Sequence, residues 1–281
     1  MDSINPFIVG DAGGTSTQWR VVKGESIQQF ETIGFNAYTH NVNDLKTSIS
    51  QTFGKEIEKE VPVYFYAAGV DTDQQTEEVK KELSEVFDNN IQIENDLLGV
   101  ARGLCGKEEG NVCILGTGAN ACFYNGHGVN KVSASLGYVL GDEGSGAYLG
   151  KKMMTKIFRG QFSEEIITRF QDKFELTSHQ VIQQIYHQPK PNHFLASFAK
   201  FIYDNRNHPE IHQLITQSFN DFFDAFFHSF EYHSLPFHFS GSIAYYFSDI
   251  LREVGNERGF LIRNVVQSPI AGLVLYHQKH G

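Results

Sequence analysis

The stretch Phe7-Ile8-Val9-Gly10-Asp11-Ala12-Gly13-Gly14-Thr15-Ser16-Thr17 gathers one carboxylate, two adjacent glycines and three hydroxyls into a short span. Adjacent glycines admit positive φ and let backbone N–H groups approach a ligand with no Cβ in the way. Amides and hydroxyls of this kind suit phosphate oxygens, and a carboxylate at their mouth suits a hydrated Mg²⁺. The apolar run before the turn and Trp19-Arg20-Val21-Val22 after it read as strands, so the turn joins strand to strand. That is not a Walker A loop, because no Gly-Lys-Ser/Thr follows, and no G-x-G-x-x-G opens a helix here. A tight hairpin without a ligand is the plain alternative for the same residues.

Three more polar, glycine-bearing turns follow predicted strands: Gly116-Thr117-Gly118-Ala119-Asn120, the loop 141–146 with Asp142 and Glu143, and Ser240-Gly241-Ser242-Ile243-Ala244. Asn95-Asp96 stands at a strand-to-helix junction. A carboxylate there is either a helix N-cap, favourable by about 1 kcal/mol, or the group that orients a nucleophile. Phosphoryl transfer needs mainly positioning, Mg²⁺ and one such carboxylate.

Behind these turns the chain alternates strands and helices. Ser26–Thr32 reads as a third strand and 42–58 as a helix of mixed character. Val61–Ala68 is a buried strand, and Asp73–Phe87 an amphipathic helix with Val79, Leu83 and Val86 as its stripe. Ile91–Ile93 is a strand running into Asn95-Asp96, and Leu97–Leu104 a helix. Strands at 112–115, 121–124 and 129–134 then repeat the opening pattern. Strand, Gly/Thr turn, strand, strand thus occurs near residue 8 and again near residue 112, predicting two similar halves facing one another across a cleft. Residues 147–159 read as a helix and 160–235 as largely helical. The apolar face formed by Ile211, Leu214, Ile215, Phe219, Phe222, Phe223, Phe226, Phe227 and Phe230 is core. Phe237–Phe239 is a strand, and Ser268-Pro269 caps and opens a C-terminal helix.

A chain of 281 residues, 41% hydrophobic and 20% charged, is an ordinary globular protein long enough for two cores. A formal charge of −10 with no basic block argues against nucleic acid as partner. Cys105, Cys113 and Cys122 match no zinc or haem spacing and read as reduced and buried, which predicts a cytoplasmic protein. The N-terminus lacks the form of a secretion signal, and no run approaches the roughly 20 apolar residues of a membrane span. Among twelve histidines, His208 and His212 lie four apart, but Pro209 opens a helix between them and no third ligand is set by spacing, so they read as ordinary imidazoles.

Taken with their order and spacing, Asp11-Ala12-Gly13-Gly14-Thr15, Asn95-Asp96, Gly116-Thr117-Gly118-Ala119-Asn120, Gly141-Asp142-Glu143-Gly144-Ser145 and Gly241-Ser242 resemble the BadF/BadG/BcrA/BcrD ATPases and N-acetylglucosamine kinases of the actin-like ATPase superfamily. The most specific piece is G-D-E-G-S placed about twenty residues after G-T-G-x-N, and the resemblance runs over 7–276. It implies two α/β domains of ribonuclease-H-like type, each a mixed sheet flanked by helices, with ATP in the interdomain cleft. The first domain would cover 1–105 and regain the helix at 268–281. The second would cover 106–267, with a helical insertion at about 150–235 where self-association into a homodimer is expected.

Roles follow by resemblance. Asp11, Gly13, Gly14, Thr15 and Thr17 would bind phosphate, with Asp11 holding Mg²⁺ through water. Gly116, Thr117 and Gly118 would form a second phosphate turn, and Gly241 and Ser242 would contact adenosine. Asp96 would be the catalytic base, accepting the proton of the attacking sugar hydroxyl. Asn36, Asn95, Asn120 and Asp142 would bind the sugar, whose hydroxyls want partners that accept and donate. Neighbouring side chains of an extended loop point opposite ways, so Asp142 is assigned to sugar and Glu143 to structure. The implied activity is ATP- and Mg²⁺-dependent phosphorylation of an amino sugar, N-acetylglucosamine at its 6-hydroxyl. Two departures bear on the sugar: Ala119 replaces an expected serine, and Leu136 and Tyr138 stand where eukaryotic N-acetylglucosamine kinases carry histidine and tryptophan. The same superfamily branch holds ATPases that activate 2-hydroxyacyl-CoA dehydratases through an iron–sulfur cluster. A sugar-binding regulator without turnover is the non-enzymatic alternative.

Overall fold

Apolar alternation and local capping account for most elements of the computed structural model, which describes residues 5–54, 61–88, 90–228 and 233–280. The chain divides into two compact units, one of residues 1–112, 124–130 and 268–281, the other of residues 113–123 and 131–267.

The first unit opens on the strands β1 (Phe7–Ala12), β2 (Ser16–Lys23) and β3 (Ser26–Ile33), an antiparallel meander. Helix α1 (Val42–Phe53), strand β4 (Val63–Ala67), helix α2 (Asp73–Phe87), strand β5 (Ile91–Asn95) and helix α3 (Asp96–Cys105) follow. The sheet order is β3-β2-β1-β4-β5, with β1, β4 and β5 parallel. Parallel strands carry their carboxyl ends to one edge, where ligands of open α/β sheets bind. Helix α1 stops at Phe53 because Gly54 takes φ +56° and returns its N–H to the Ser50 carbonyl. The remainder of the expected helix to 58 lies outside the described residues. Helix α2 starts on a capping box between Thr72 and Gln75. One face of the sheet closes over Trp19, which stacks on Phe65 at 5.2 Å and meets the edge of Phe53 at 5.6 Å.

The second sheet comprises β6 (Gly110–Leu115), β7 (Ala119–Tyr124), β8 (Val129–Lys131), β9 (Phe237–Ser240) and β10 (Ile262–Val266), in the order β10-β9-β6-β7-β8. Third, second, first, fourth, fifth: the two sheets share one ribonuclease-H-like plan, the repetition expected from the recurring strand–turn–strand pattern. The strand expected over 129–134 is shorter, ending at Lys131. Between β8 and β9 run α4 (Gly137–Leu140), α5 (Gly146–Phe158), α6 (Glu164–Phe174), α7 (Ser178–His187), α8 (Pro191–Ala196), α9 (Ala199–Asp204) and α10 (Pro209–Phe226). Helices α11 (Ser242–Tyr246) and α12 (Ser248–Glu257) connect β9 to β10. The phenylalanines of α10 are core, as their period demands: Phe219, Phe222 and Phe223 are fully buried. Phe230, assigned to the same face, lies outside the described residues. Cys105, Cys113 and Cys122 are buried thiols, the last two inside β6 and β7. His208 caps α10 by accepting the Glu210 N–H, and among the described residues no cluster of His, Cys, Asp and Glu is placed to hold a metal ion. No described helix is long and apolar enough to cross a membrane.

The last helix, α13 (Ile270–His280), returns to the first unit and lies on α3 and β1. The crossing is glycine on glycine, since a Cβ at Gly272 would overlap the Gly103 carbonyl oxygen. Farther along α13, buried His277 stacks on Tyr64 at 3.7 Å between ring centroids, and its Nε2 lies 2.9 Å from the Tyr66 hydroxyl. That hydroxyl also accepts from Arg102 Nη1 at 2.9 Å, so its own proton serves His277. Burial, with Arg102 nearby, pushes the imidazole down to about 4 from 6.5. Between those values the unfolded chain binds a proton that the folded chain refuses, so stability falls as pH drops through that window. The full difference amounts to about 3 kcal/mol. A His277→Gln variant is expected to flatten the dependence of the unfolding free energy on pH between 4 and 6.5, measured by denaturant titration. An unchanged slope would assign that dependence elsewhere.

Candidate active site

In the first unit, β1 delivers Asp11 near its carboxyl end, paired with Gln18 of β2 and with Tyr66 of β4. Two strands across, β5 ends at Asn95, and Asp96 is the first residue of α3. The parallel register therefore brings both carboxylates to one sheet edge, close enough that the charge of Asp96 helps to raise the Asp11 carboxyl. Burial is the larger cause and pushes that carboxyl up to about 7, against a hydrogen bond that Ser268 Oγ donates to Asp11 Oδ2 at 3.1 Å. Asn95 is the N-cap of α3, its Oδ1 taking the Leu98 N–H at 2.8 Å. Asp96 is thus not the capping residue, although its Oδ1 accepts the Leu97 N–H at 2.9 Å.

The Gly13-Gly14-Thr15 turn closes with the Gly13 N–H on the Ser16 carbonyl at 3.1 Å. Its underside rests on the loop after β3, where the Gly34 N–H bonds the Thr15 carbonyl at 3.2 Å and the Phe35 N–H the Gly13 carbonyl at 3.0 Å. The steric need for glycine falls here. Gly13 does not adopt the left-handed backbone expected of it, and a Cβ there would touch only the Ser16 carbonyl at 3.7 Å. A Cβ on Gly34 would lie 2.5 Å from the Gly14 oxygen and 2.6 Å from that of Gly13, both unyielding backbone atoms. Gly34→Ala is therefore expected to displace the turn and to cost about 1–3 kcal/mol, read as a lowered melting temperature. Thr15 is exposed at the turn, whereas Thr17 is fully buried with its hydroxyl donated to the Ile33 carbonyl at 2.8 Å. Asn36 follows in the same loop, its Oδ1 accepting the Tyr38 N–H at 2.9 Å in an Asx turn.

In the second unit the Gly116-Thr117-Gly118 turn is held from behind by the N-terminus of α5. The Gly146 N–H donates to the Gly116 carbonyl at 2.8 Å, and the Ala147 N–H to that of Thr117 at 3.1 Å. Ser145 caps α5, its Oγ accepting the Tyr148 N–H at 3.1 Å. Asp142 occupies a left-handed conformation, φ +60°, which turns its buried carboxylate under the same turn. Its Oδ1 takes the Ala119 N–H at 3.2 Å, and a Cβ on Gly118 would lie 3.0 Å from its Oδ2. Burial and the neighbouring Glu143 raise the Asp142 carboxyl; the Ala119 N–H and Lys151 oppose them. Asn120 Oδ1 accepts the Ala121 N–H at 3.0 Å. Gly241, after β9, is left-handed at φ +117°, and a Cβ there would overlap the Leu115 carbonyl oxygen, so the ends of β6 and β9 meet through this glycine. Ser242, the first residue of α11, is exposed.

The predicted residues therefore form two groups. Asp11, Gly13–Thr15, Asn36, Asn95 and Asp96 share one edge of the first unit; Gly116–Asn120, Asp142, Gly241 and Ser242 cluster in the second. Asn36, Asn95, Asn120 and Asp142 each commit one oxygen to a backbone N–H. Sequence reasoning missed Gly34 as the brace of the first turn and Ser268 as the partner of Asp11. For Ser268 only its capping role was visible.

A solved structure from Porphyromonas gingivalis, provisionally named N-acetylglucosamine kinase, is 35% identical to this chain, covers 98% of it and 99% of its own length, and has a TM-score of 0.92. The chain belongs to the N-acetylglucosamine-kinase-like family of actin-like ATPases. The N-acetyl-D-glucosamine kinase of Dictyostelium discoideum is 27% identical over 55% of the chain, and the match spans 54% of that relative, about half its length. Two more distant structures share the fold alone. One, from Chromobacterium violaceum and also provisionally named N-acetylglucosamine kinase, is 20% identical, with a TM-score of 0.71 and coverage of 98% and 99%. The other, a ROK family glucokinase from Streptomyces griseus in complex with glucose and AMPPNP, is 16% identical with a TM-score of 0.58 and the same coverage. No protein-family model matches the chain. The paired five-stranded mixed sheets, flanked by helices, are those of the family's two-domain actin-like ATPase fold.

Proposed function

We propose that this protein is an ATP-dependent sugar kinase that transfers the γ-phosphoryl group to the 6-hydroxyl of an amino sugar, with N-acetylglucosamine the expected substrate. The observation that carries the reading is the pair Asp11 and Asp96, set at the carboxyl ends of parallel strands beside the Gly13–Thr15 turn, in a chain of this family. Phosphoryl transfer asks for that arrangement: one carboxylate to take the nucleophile's proton and backbone groups to position phosphate. Asp96 is the proposed base. Its Oδ1 accepts the Leu97 N–H, which orients the carboxylate.

Half-buried Asp11, with a second carboxylate nearby, supplies the hard oxygen donors that suit Mg²⁺, which usually takes one or two carboxylates and keeps several waters. Asp11 would hold the ion through water, and the bound ion would neutralise charge on the nucleotide phosphates. Gly13, Gly14 and Thr15 are assigned to one set of phosphate oxygens and Gly116–Gly118 to another, with Gly241 and Ser242 at the adenosine. Thr17 supports the first turn through Ile33 in this reading. Asn36, Asn95 and Asn120, each with its carbonyl oxygen engaged, would offer amide N–H donors to the sugar. Asp142 would then shape the second turn as well as face the sugar.

The test is ADP release with Mg²⁺-ATP against a panel of amino and N-acetylated sugars. A strong response to N-acetylglucosamine alone is expected. A response to another sugar would keep the reaction and move the substrate, with Ala119, Leu136 and Tyr138 the residues to exchange. No sugar-dependent release from protein that binds ATP would overturn the kinase reading.

A further inference from the structure

Ser268 lies 257 residues from Asp11 in the chain, yet its Oγ donates to Asp11 Oδ2 at 3.1 Å. The same oxygen accepts the Ile270 N–H at 3.3 Å, at the start of α13. A serine hydroxyl has one proton and its lone pairs, so with Ile270 taking a lone pair the proton is aimed at Asp11. Pro269 between them has no N–H to compete. The hydroxyl is held in place by the whole of α13: the Gly103–Gly272 contact locks the helix onto α3, and His277 anchors its far end against Tyr64 and Tyr66. A preoriented, partly buried donor on one oxygen of a carboxylate restrains that carboxylate from rotating.

We propose that Ser268 is a positioning residue for the metal–nucleotide site: by fixing Oδ2 of Asp11 it presents Oδ1 to the water shell of the cation. This rests on the kinase reading for the identity of the ligand.

The experiment is calorimetric binding of AMPPNP to the full-length protein, with Mg²⁺ present or with EDTA, no sugar being added. Ser268→Ala is expected to weaken Mg²⁺–AMPPNP about tenfold while leaving the EDTA affinity unchanged, and Ser268→Thr, which keeps a hydroxyl, to restore most of the loss. In an Asp11→Asn background the Ser268→Ala change should add nothing further, because interacting residues are not additive. Equal weakening with and without Mg²⁺, or full additivity with Asp11→Asn, would reduce Ser268 to a helix cap and overturn the proposal. Should Ser268→Ala fail to fold, the threonine variant decides alone: native-like Mg²⁺ dependence supports the assignment and a tenfold loss overturns it. Native protein that binds neither form of the nucleotide would overturn the nucleotide reading itself, and this inference with it.

Discussion

Asp96→Asn is expected to lower kcat for sugar phosphorylation by roughly 10²–10⁴-fold, the usual worth of a positioned general base. The substitution is nearly isosteric, and its amide oxygen can still accept the Leu97 N–H that orients the present carboxylate. Asn95, not residue 96, caps α3, so the helix keeps its first turn. Stability should therefore stay within about 0.5 kcal/mol of the native value, as for substitutions that leave packing and caps intact. Affinity for nucleotide should not fall, since the lost charge is one of those that oppose ionisation of Asp11. The measurement is steady-state ADP release alongside calorimetric nucleotide binding. Turnover near the native rate would remove Asp96 from the role of base.

Asp11→Asn is expected to act in opposite directions on activity and on stability. In the ligand-free protein the Asp11 carboxyl ionises near 7, against 3.8 as the ordinary value. A raised carboxyl favours folding only while protonated: its contribution is complete below about 3.8 and is lost as pH climbs through about 7. By pH 8 the native protein bears the cost of a desolvated charge, up to about 4 kcal/mol from a shift of that size. Asparagine keeps an acceptor for Ser268 and carries no charge. Allowing for relaxation and partial solvent access, the variant should gain about 2 kcal/mol at pH 8, roughly 4–8 °C in melting temperature, and nothing at pH 4. Activity should fall at least about 10²-fold, as on removal of other preorganised electrostatic groups. Matched melts at pH 4 and pH 8 decide the first half and Mg²⁺-dependent kinetics the second. A variant less stable than native at pH 8 would show that the carboxylate stabilises the unit instead. At a position proposed to hold the cation, such a cost would be a trade between stability and activity.

How much of this was legible beforehand depends on the range of the interaction responsible. The strands around Asp11, the Asn95-Asp96 junction, the phenylalanine face of α10 and the cap at Ser268 rest on periods of two or 3.6 and on side chains bonding to their own neighbourhood. Such signals lie within a few positions, and so does the repeated strand–turn–strand pattern that foretold two sheets of one order. Thr17 reads as a ligand hydroxyl in its turn, but register with β3 buries it against Ile33. Asp142 reads as the loop carboxylate assigned to sugar, and nothing near it in the chain shows that a left-handed backbone also carries it beneath Gly118. Gly13 reads as the glycine the turn demands, whereas the demand falls on Gly34, pressed against the turn from the next loop. The bond from Ser268 to Asp11 joins the two ends of the chain and leaves no trace in either neighbourhood. The sequence by itself determined the elements, their repetition and the types of residue at the turns, because hydrophobic period and backbone chemistry are local. Only the tertiary structure decided which of these side chains are spent supporting a turn and which stay exposed at it, because that depends on strand register and on what packs behind each turn.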